Sequence, residues 1–223
     1  MSNWFPPEIS TFGQEIDAVF WLIFWLGLGG FIIAEGIIIY ALIRFRRGSG
    51  RKAEYVTGNS WRQASWILIP GAIVLFLDLA VDFAGGHAYH MVKGELPASD
   101  IKVRVQGEQY AWRITYPGPD GLFDTSDDRE TLNQLHVPIH RPVHVYLRSK
   151  DVIHSFFVPA LRLKQDALPG REIPLWFEAD VSGVYEIACA ELCGPNHYTM
   201  RGFLNVHTAD EYQAWVSETW GDN

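Results

Sequence analysis

Long apolar runs are confined to the first 84 residues, and beyond them the pattern changes to short alternating segments. Residues 18–43 are 26 consecutive positions with one ionisable group, Glu35, and no polar face at helical spacing. Coiled as a helix, such a run reaches about 39 Å, more than the roughly 30 Å hydrocarbon core of a bilayer. A second run covers 64–77 and continues through Asp78 and Asp82 to residue 84, about 31 Å as a helix. Nothing else in the chain is large enough to wrap two such helices as a soluble core, so the pattern predicts a pair of membrane spans. Residues 1–17 lack a basic leader region and carry Glu8, Glu15 and Asp17, which predicts an extended lead-in instead of a secretory signal. Trp4 and Phe5 suit a membrane interface, and Pro6 and Pro7 keep the lead-in out of a helix.

From residue 85 onward the chain is soluble in character. Segments 101–105, 110–116, 135–137, 143–148, 172–179, 184–189 and 203–206 alternate or are rich in β-branched and aromatic residues, punctuated by Gly, Pro and Asp. That is the pattern of an all-β sandwich or barrel, and residues 210–220 read as a short terminal helix. The predicted organisation is an outer-side segment 1–17, a helical hairpin 18–84 with a basic loop 44–62, and an outer-side domain 85–223. Within that domain, residues 118–130 hold spaced aspartates and two glycines. The EF-hand spacing with its final glutamate is not met, so this stretch reads as an acidic hairpin loop.

Charge settles the orientation of the spans. The formal net charge is −8, yet the loop 44–62 holds six basic residues, Arg44, Arg46, Arg47, Arg51, Lys52 and Arg62, against Glu54 alone. A short basic loop between two spans stays on the cytoplasmic side, which puts both termini on the outer (periplasmic) side. Residues 85–223 carry twelve basic against nineteen acidic side chains, a balance that argues against nucleic acid as a partner. Glu35 and Asp78 sit at membrane depth, where a carboxylate is costly and faces protein or water; they are candidates for contact with another membrane subunit. Asp82 reads as a solvated helix end.

The chemistry concentrates in Cys189-Ala190-Glu191-Leu192-Cys193-Gly194-Pro195-Asn196-His197-Tyr198-Thr199-Met200, which holds both cysteines of the chain. The spacing lets one tight loop bring four soft donors to a common point. Zinc prefers cysteine and histidine without methionine, whereas thiolate, imidazole and thioether together suit copper. One blue-copper ion uses a single cysteine, so two bridging thiolates point to a two-copper centre. Such a centre needs a second histidine, and His154 in Asp151-Val152-Ile153-His154-Ser155-Phe156 supplies one. The bland alternative is a disulfide between Cys189 and Cys193. His136, His140, His144 and His207 lie scattered in β-type sequence and read as surface or core residues, and His87 and His90 follow the second span.

The pattern Cys-x-Glu-x-Cys-Gly-x-x-His-x-x-Met, the upstream Asp-Val-x-His-Ser-Phe, the stretch Leu163-Lys164-Gln165-Asp166-Ala167-Leu168-Pro169-Gly170-Arg171 and two N-terminal spans together resemble cytochrome c oxidase subunit II over essentially the whole chain. The resemblance implies a cupredoxin-like barrel with a dinuclear copper A centre. By analogy Cys189 and Cys193 bridge the coppers, His154 and His197 each ligate one, Met200 is a weak ligand, and Glu191 offers its backbone carbonyl. The Glu191 carboxylate would reach a magnesium ion at the boundary with subunit I. The implied role is to accept electrons from cytochrome c or another positively charged donor and pass them to haem a of subunit I, where O2 is reduced to water with proton translocation. The haem resides on that partner, so no turnover is expected of this chain alone. A quinol-oxidase subunit II shares the fold but lacks these copper ligands, and nitrous oxide reductase has a similar loop without two N-terminal spans.

Two positions depart from the family pattern. In Gly107-Glu108-Gln109-Tyr110-Ala111-Trp112 a tyrosine stands where the family usually has the first of two tryptophans. Tyr110 and Trp112 are therefore the candidates for the point where electrons arrive. Gln63, three residues before Trp66, stands where many members have a glutamate at the mouth of a proton path, and glutamine does not ionise.

Overall fold

Two long helices and ten strands follow one another along the chain in a computed structural model, which describes residues 5–48, 50, 55–94 and 96–221. Trp4, and Arg51, Lys52 and Glu54 of the basic linker, lie outside the described residues. By contacts the chain forms two units, one of residues 15–89 and one that joins residues 5–14 to 90–221.

The helical unit is carried by α1 (Gly13–Arg44) and α2 (Trp61–Lys93). Both are apolar all round, and Ile33, Phe31, Trp66 and Phe83 stand exposed along them, as helices do whose partners are lipid or other subunits. Each runs past its apolar run. α1 starts five residues ahead of residue 18, and α2 continues through Gly85 and Gly86 to Lys93, because a helix does not stop where hydrophobicity does. Pro70 sits inside α2, a substitution that membrane helices tolerate better than soluble ones. Gln63 lies in the first turn of α2, where its side-chain oxygen accepts from Thr57 Oγ1 at 3.4 Å.

The β unit is a two-sheet sandwich. The strands are β1 (Ile101–Glu108), β2 (Ala111–Tyr116), β3 (Arg129–Leu132), β4 (Gln134–Pro138), β5 (Val143–Ser149), β6 (His154–Val158), β7 (Leu163–Ala167), β8 (Ile173–Phe177), β9 (Gly183–Cys189) and β10 (Arg201–His207). They pair in the orders β3-β2-β1-β5-β8 and β4-β10-β9-β6-β7, with β1–β5 and β4–β10 parallel and the rest antiparallel. Val103, Val105, Ile114, Leu135, Val137, Leu147, Phe156, Val158, Phe177 and Leu204 fill the space between the sheets. Period-2 alternation is why β5 was legible: from Val143 to Arg148 its residues switch between buried and half-buried at each step. β3, β6 and β7 were not anticipated as strands. β3 has one apolar residue, the exposed Leu132, and lies on a sheet edge, β6 is buried almost continuously, and β7 has only its two ends buried. None of the three alternates apolar with polar residues in its sequence. Residues 109 and 110, read as the start of a strand, instead form the turn between β1 and β2.

The acidic stretch 118–130 is held down from below. Arg104 of β1, itself buried, pairs with both carboxylate oxygens of Asp124 at 2.7 and 3.1 Å and lies 4.4 Å from the centre of the Phe123 ring. The remaining aspartates bond within the loop, Asp128 to the Asp124 N–H and Asp127 to the Thr125 hydroxyl. At the C-terminus α3 (Ala209–Trp220) begins with a capping box between Thr208 and Glu211. It lays Trp215 flat on His136 at 4.8 Å, and His136 Nδ1 lies 2.8 Å from His207 Nε2. Burial and the neighbouring His207 push His136 down to about 4, so these two histidines form a neutral hydrogen-bonded pair beneath α3.

The lead-in before α1 is part of the β unit. Ile9 N–H donates to the Ala160 carbonyl at 3.0 Å, Asp180 N–H to the Ile9 carbonyl at 2.7 Å, and Thr11 N–H to the Glu178 carbonyl at 3.2 Å. Ile9 and Phe12 are fully buried, and Phe12 meets Trp176 edge-on at 5.6 Å. Truncating a buried phenylalanine costs about 3–5 kcal/mol. Phe12→Ala is therefore expected to lower the denaturant midpoint of the β unit in the full chain, followed by tryptophan fluorescence. Thr11→Ala, which keeps the backbone bond of an exposed residue, should leave it in place.

Candidate metal centre

β9 delivers Cys189 at its last position, and the chain returns in β10 at Arg201 after a loop closed by one helical turn, His197–Thr199. Antiparallel pairing of Arg201 with Ala188, together with a 3.2 Å bond from Cys189 N–H to the Met200 carbonyl, clamps the two ends of that loop. β6 lies on the other side of β9, pairing Phe156 with Cys189. That register sets His154, at the start of β6, beside the sulfur of Cys189. The sheet thus unites two segments distant in sequence.

The donors meet in pairs. The Sγ atoms of Cys189 and Cys193 are 3.8 Å apart; His154 Nδ1 is 3.9 Å from the first and His197 Nδ1 is 3.5 Å from the second. Met200 Sδ lies 3.8 Å from Cys193 Sγ, and the Glu191 carbonyl oxygen 3.3 Å from Cys189 Sγ. His154, Cys189, Cys193 and Met200 are buried, His197 is half-buried, and the Glu191 side chain is exposed. His154, Cys189 and Cys193 have their ligand atoms within 4.8 Å of one another.

These separations suit a shared metal. With bonds of about 2.3 Å to sulfur and about 2.0 Å to imidazole, two sulfurs on one tetrahedral ion stand about 3.8 Å apart, and a sulfur and a nitrogen about 3.5 Å. A disulfide needs about 2.05 Å, and both cysteines are free. Burial, and then the neighbouring Cys189, push the Cys193 thiol up to about 11. The Cys193 thiol therefore stays protonated at neutral pH until a cation compensates it, and metal binding releases its proton. A thioether beside two thiols and two imidazoles is a softer set than zinc selects, and it fits copper.

A second layer holds the imidazoles. His154 Nε2 bonds to Asp151 Oδ1 at 2.8 Å, which keeps the proton on Nε2 and leaves the Nδ1 lone pair facing the sulfur. A Cβ at Gly107 would stand 2.9 Å from the His154 ring, so only glycine lets β1 pass so close. Trp112 is 0% exposed and packs edge-on against both His154, at 6.0 Å, and Phe156, at 5.6 Å. Tyr110 is half-exposed in the β1–β2 turn. Of the two aromatic candidates, Tyr110 alone reaches the surface. Asp151 and Gly107 had no distinguishing signal beyond their nearness to His154 and Tyr110 in the motifs.

Comparison with known proteins agrees with this geometry. The family model for the periplasmic domain of cytochrome c oxidase subunit II matches residues 101–206. Cytochrome c oxidase subunit 2 of Synechocystis is 32% identical over 95% of this chain and 74% of its own length. The chain belongs to the cytochrome c oxidase subunit II family. The alternative cytochrome c oxidase subunit 2 of Bradyrhizobium diazoefficiens is also 32% identical, over 97% of this chain and 84% of its own. The crystal structure of the periplasmic domain of cytochrome oxidase subunit II from Bradyrhizobium japonicum superposes with a TM-score of 0.50 at 30% identity, covering 56% of this chain and 96% of that one. This subunit II is thus a membrane protein of a haem–copper oxidase, an oxidoreductase complex, with a cupredoxin-like domain whose His–Cys–Cys cluster suits copper.

Removing a second-layer carboxylate from a metal-bound histidine typically costs roughly 10–100-fold in metal affinity. Asp151→Ala is expected to weaken copper binding by that order, measured by competition with a chelator of known affinity. Asp151→Asn, which keeps an oxygen toward His154, should lose less.

Proposed function

We propose that this subunit II is the part of its oxidase that receives electrons, with His154, Cys189, Glu191, Cys193, His197 and Met200 holding two copper ions as a copper A centre. The observation that carries the reading is the pairing of each thiol with its own imidazole, Cys189 with His154 and Cys193 with His197. When bound, such a copper pair supplies a one-electron redox site. The chain's own part is to hold the donors still and dry. Burial of both sulfurs and of Met200 excludes water, and the β6, β9 and β10 backbone limits movement when charge changes. Tyr110, at the surface of the turn beside the centre, is the place where an electron arrives. Trp112, fully buried, serves inside as packing against His154 and is out of reach of an arriving electron carrier. The electron then passes to haem a on subunit I, where O2 is reduced with proton translocation.

The same reading gives Glu191 two functions: its carbonyl, beside Cys189, faces copper, and its exposed carboxylate reaches a magnesium ion at the subunit I boundary. It also places the β unit and both termini on the outer face. The support is that residues 5–14, which lead into the start of α1, and residues from 90 onward, beginning at the end of α2, pack into one unit, while the basic linker between the spans favours the inner face. The acidic balance of residues 85–223 suits cytochrome c or another cationic donor.

Copper analysis with electron paramagnetic resonance on the purified oxidase tests the centre. Two coppers per subunit II, and hyperfine splitting spread over two nuclei, are expected; one labile copper with single-nucleus splitting would make the chain a copper-delivery protein instead. Tyr110→Ala separately tests the arrival point. It is expected to slow donor-to-copper electron transfer in stopped flow at least several-fold with the copper spectrum unchanged, and a parent-like rate would remove Tyr110 from the route.

A further inference from the structure

We infer that Gln109 is the positioning residue of the metal centre: from the β1–β2 turn, its side-chain amide holds the cysteine loop and its backbone N–H holds the histidine segment. This rests on the reading of the six donors as a copper centre.

The cysteine loop is well tied at its base and poorly tied at its tip. At the base, Cys189 N–H bonds to the Met200 carbonyl and Ala190 N–H to the Ser155 carbonyl at 3.0 Å. Toward the tip the bonds are internal: His197 N–H to the Gly194 carbonyl, Thr199 N–H to the Asn196 carbonyl and Met200 N–H to the His197 carbonyl. Internal bonds shape the loop without anchoring it to the sandwich. Among the described residues, and apart from the Cys189 sulfur at the loop's own base, one hydrogen bond reaches 191–199 from outside the loop, from Gln109 Nε2 to the Cys193 carbonyl at 2.5 Å.

Cys193 is where an anchor matters most. Its sulfur is the near neighbour of Cys189 Sγ, His197 Nδ1 and Met200 Sδ at once. A shift of its backbone therefore changes three donor separations together, whereas a shift at Met200 changes one. The contact leaves little slack. A Cβ on Gly194 would stand 2.6 Å from the Tyr110 hydroxyl and 2.8 Å from Gln109 Nε2, and Gly194 adopts φ +138. The turn thus presses directly on the backbone after Cys193.

The other half of the centre is held by the same residue. Gln109 N–H donates to Asp151 Oδ2 at 2.8 Å, and the second oxygen of that carboxylate receives His154 Nε2. His154 takes its orientation from Asp151, and Asp151 is itself held by two backbone N–H groups, Val152 at 2.7 Å from its own segment and Gln109 from across the turn. One residue therefore sets the register between the two ligand-bearing segments. Its side chain is exposed and its replacement opens no cavity, so packing does not explain the contact.

The test uses the assembled oxidase purified in detergent, with Gln109→Met, which matches the length of glutamine and cannot donate. The expected result is a changed hyperfine pattern in electron paramagnetic resonance and roughly tenfold faster loss of copper(I) from the reduced protein to excess chelator. Thermal unfolding of the metal-free subunit should not move. Gln109→Asn, whose amide falls one methylene short, is expected to behave like Gln109→Met. Spectra and release within twofold of the parent in both variants would overturn the inference, as would a lowered metal-free midpoint, which would make Gln109 a plain structural residue of the turn. Absence of a two-copper signal in the parent oxidase would end the copper reading itself, independently of Gln109.

Discussion

Two buried thiols 3.8 Å apart are the constraint around which the β unit is arranged. Without a cation burial keeps the Cys193 thiol protonated, and with one the two sulfurs would have to keep their spacing, because a soft metal pair tolerates little displacement of its donors. A loop alone does not hold atoms so closely, since ordering it costs entropy at every residue. The sandwich solves this by taking both thiols from the connection between two hydrogen-bonded strands and the far histidine from the strand alongside. The sheet geometry is the site geometry.

The same logic explains why the lead-in before α1 belongs to the β unit. A hairpin of membrane helices has one polypeptide end entering and one leaving, and both ends are used here. Ile9 and Phe12 complete a core whose other members come from after α2. Docking the lead-in shortens the free chain between the folded unit and α1 to almost nothing, since α1 begins one residue after Phe12. A domain cut out at residue 90 would lack these two side chains. Its apparent stability would then describe a truncated core, not the protein's own.

How much of this was legible in the sequence depended on whether the partners were local. The candidate ligand loop was readable because its donors lie within twelve residues of one another, so that their spacing alone shows that one loop can bring them together, even though the sheet is what holds them there. The membrane spans were readable because nothing but lipid or protein of equal size covers such runs. His154 was found by chemical need, the second imidazole. Contacts made through space were invisible: Gln109 with Cys193, Asp151 with His154, the glycine at 107 under the imidazole ring. The strands that escaped notice, β3, β6 and β7, lack apolar–polar alternation for three different reasons, a mostly polar edge, nearly continuous burial and a polar middle. The lead-in strap was unreadable because so few residues ahead of an apolar run have no period of their own.

The β1–β2 turn brings the surface and the frame together. Tyr110 sits at the surface one residue after Gln109, and the strand leading into the turn ends on Glu108, which is held by Arg113 at 2.9 Å and Lys150 at 2.7 Å. Arg113 is held in turn by Glu130 at 2.9 Å. Exposed pairs of this kind add little to stability singly, but a connected set restrains the strand ends from which the turn projects. A donor arriving at Tyr110 would press on the same few atoms that align Cys193 and His154. Fast electron transfer needs a centre that changes little when its charge changes, so contact at the surface must not be passed on as movement of the donors. A two-residue turn, braced by paired charges on one side and by Gly194 on the other, meets that requirement: it is too short to bend and too tightly packed to slide.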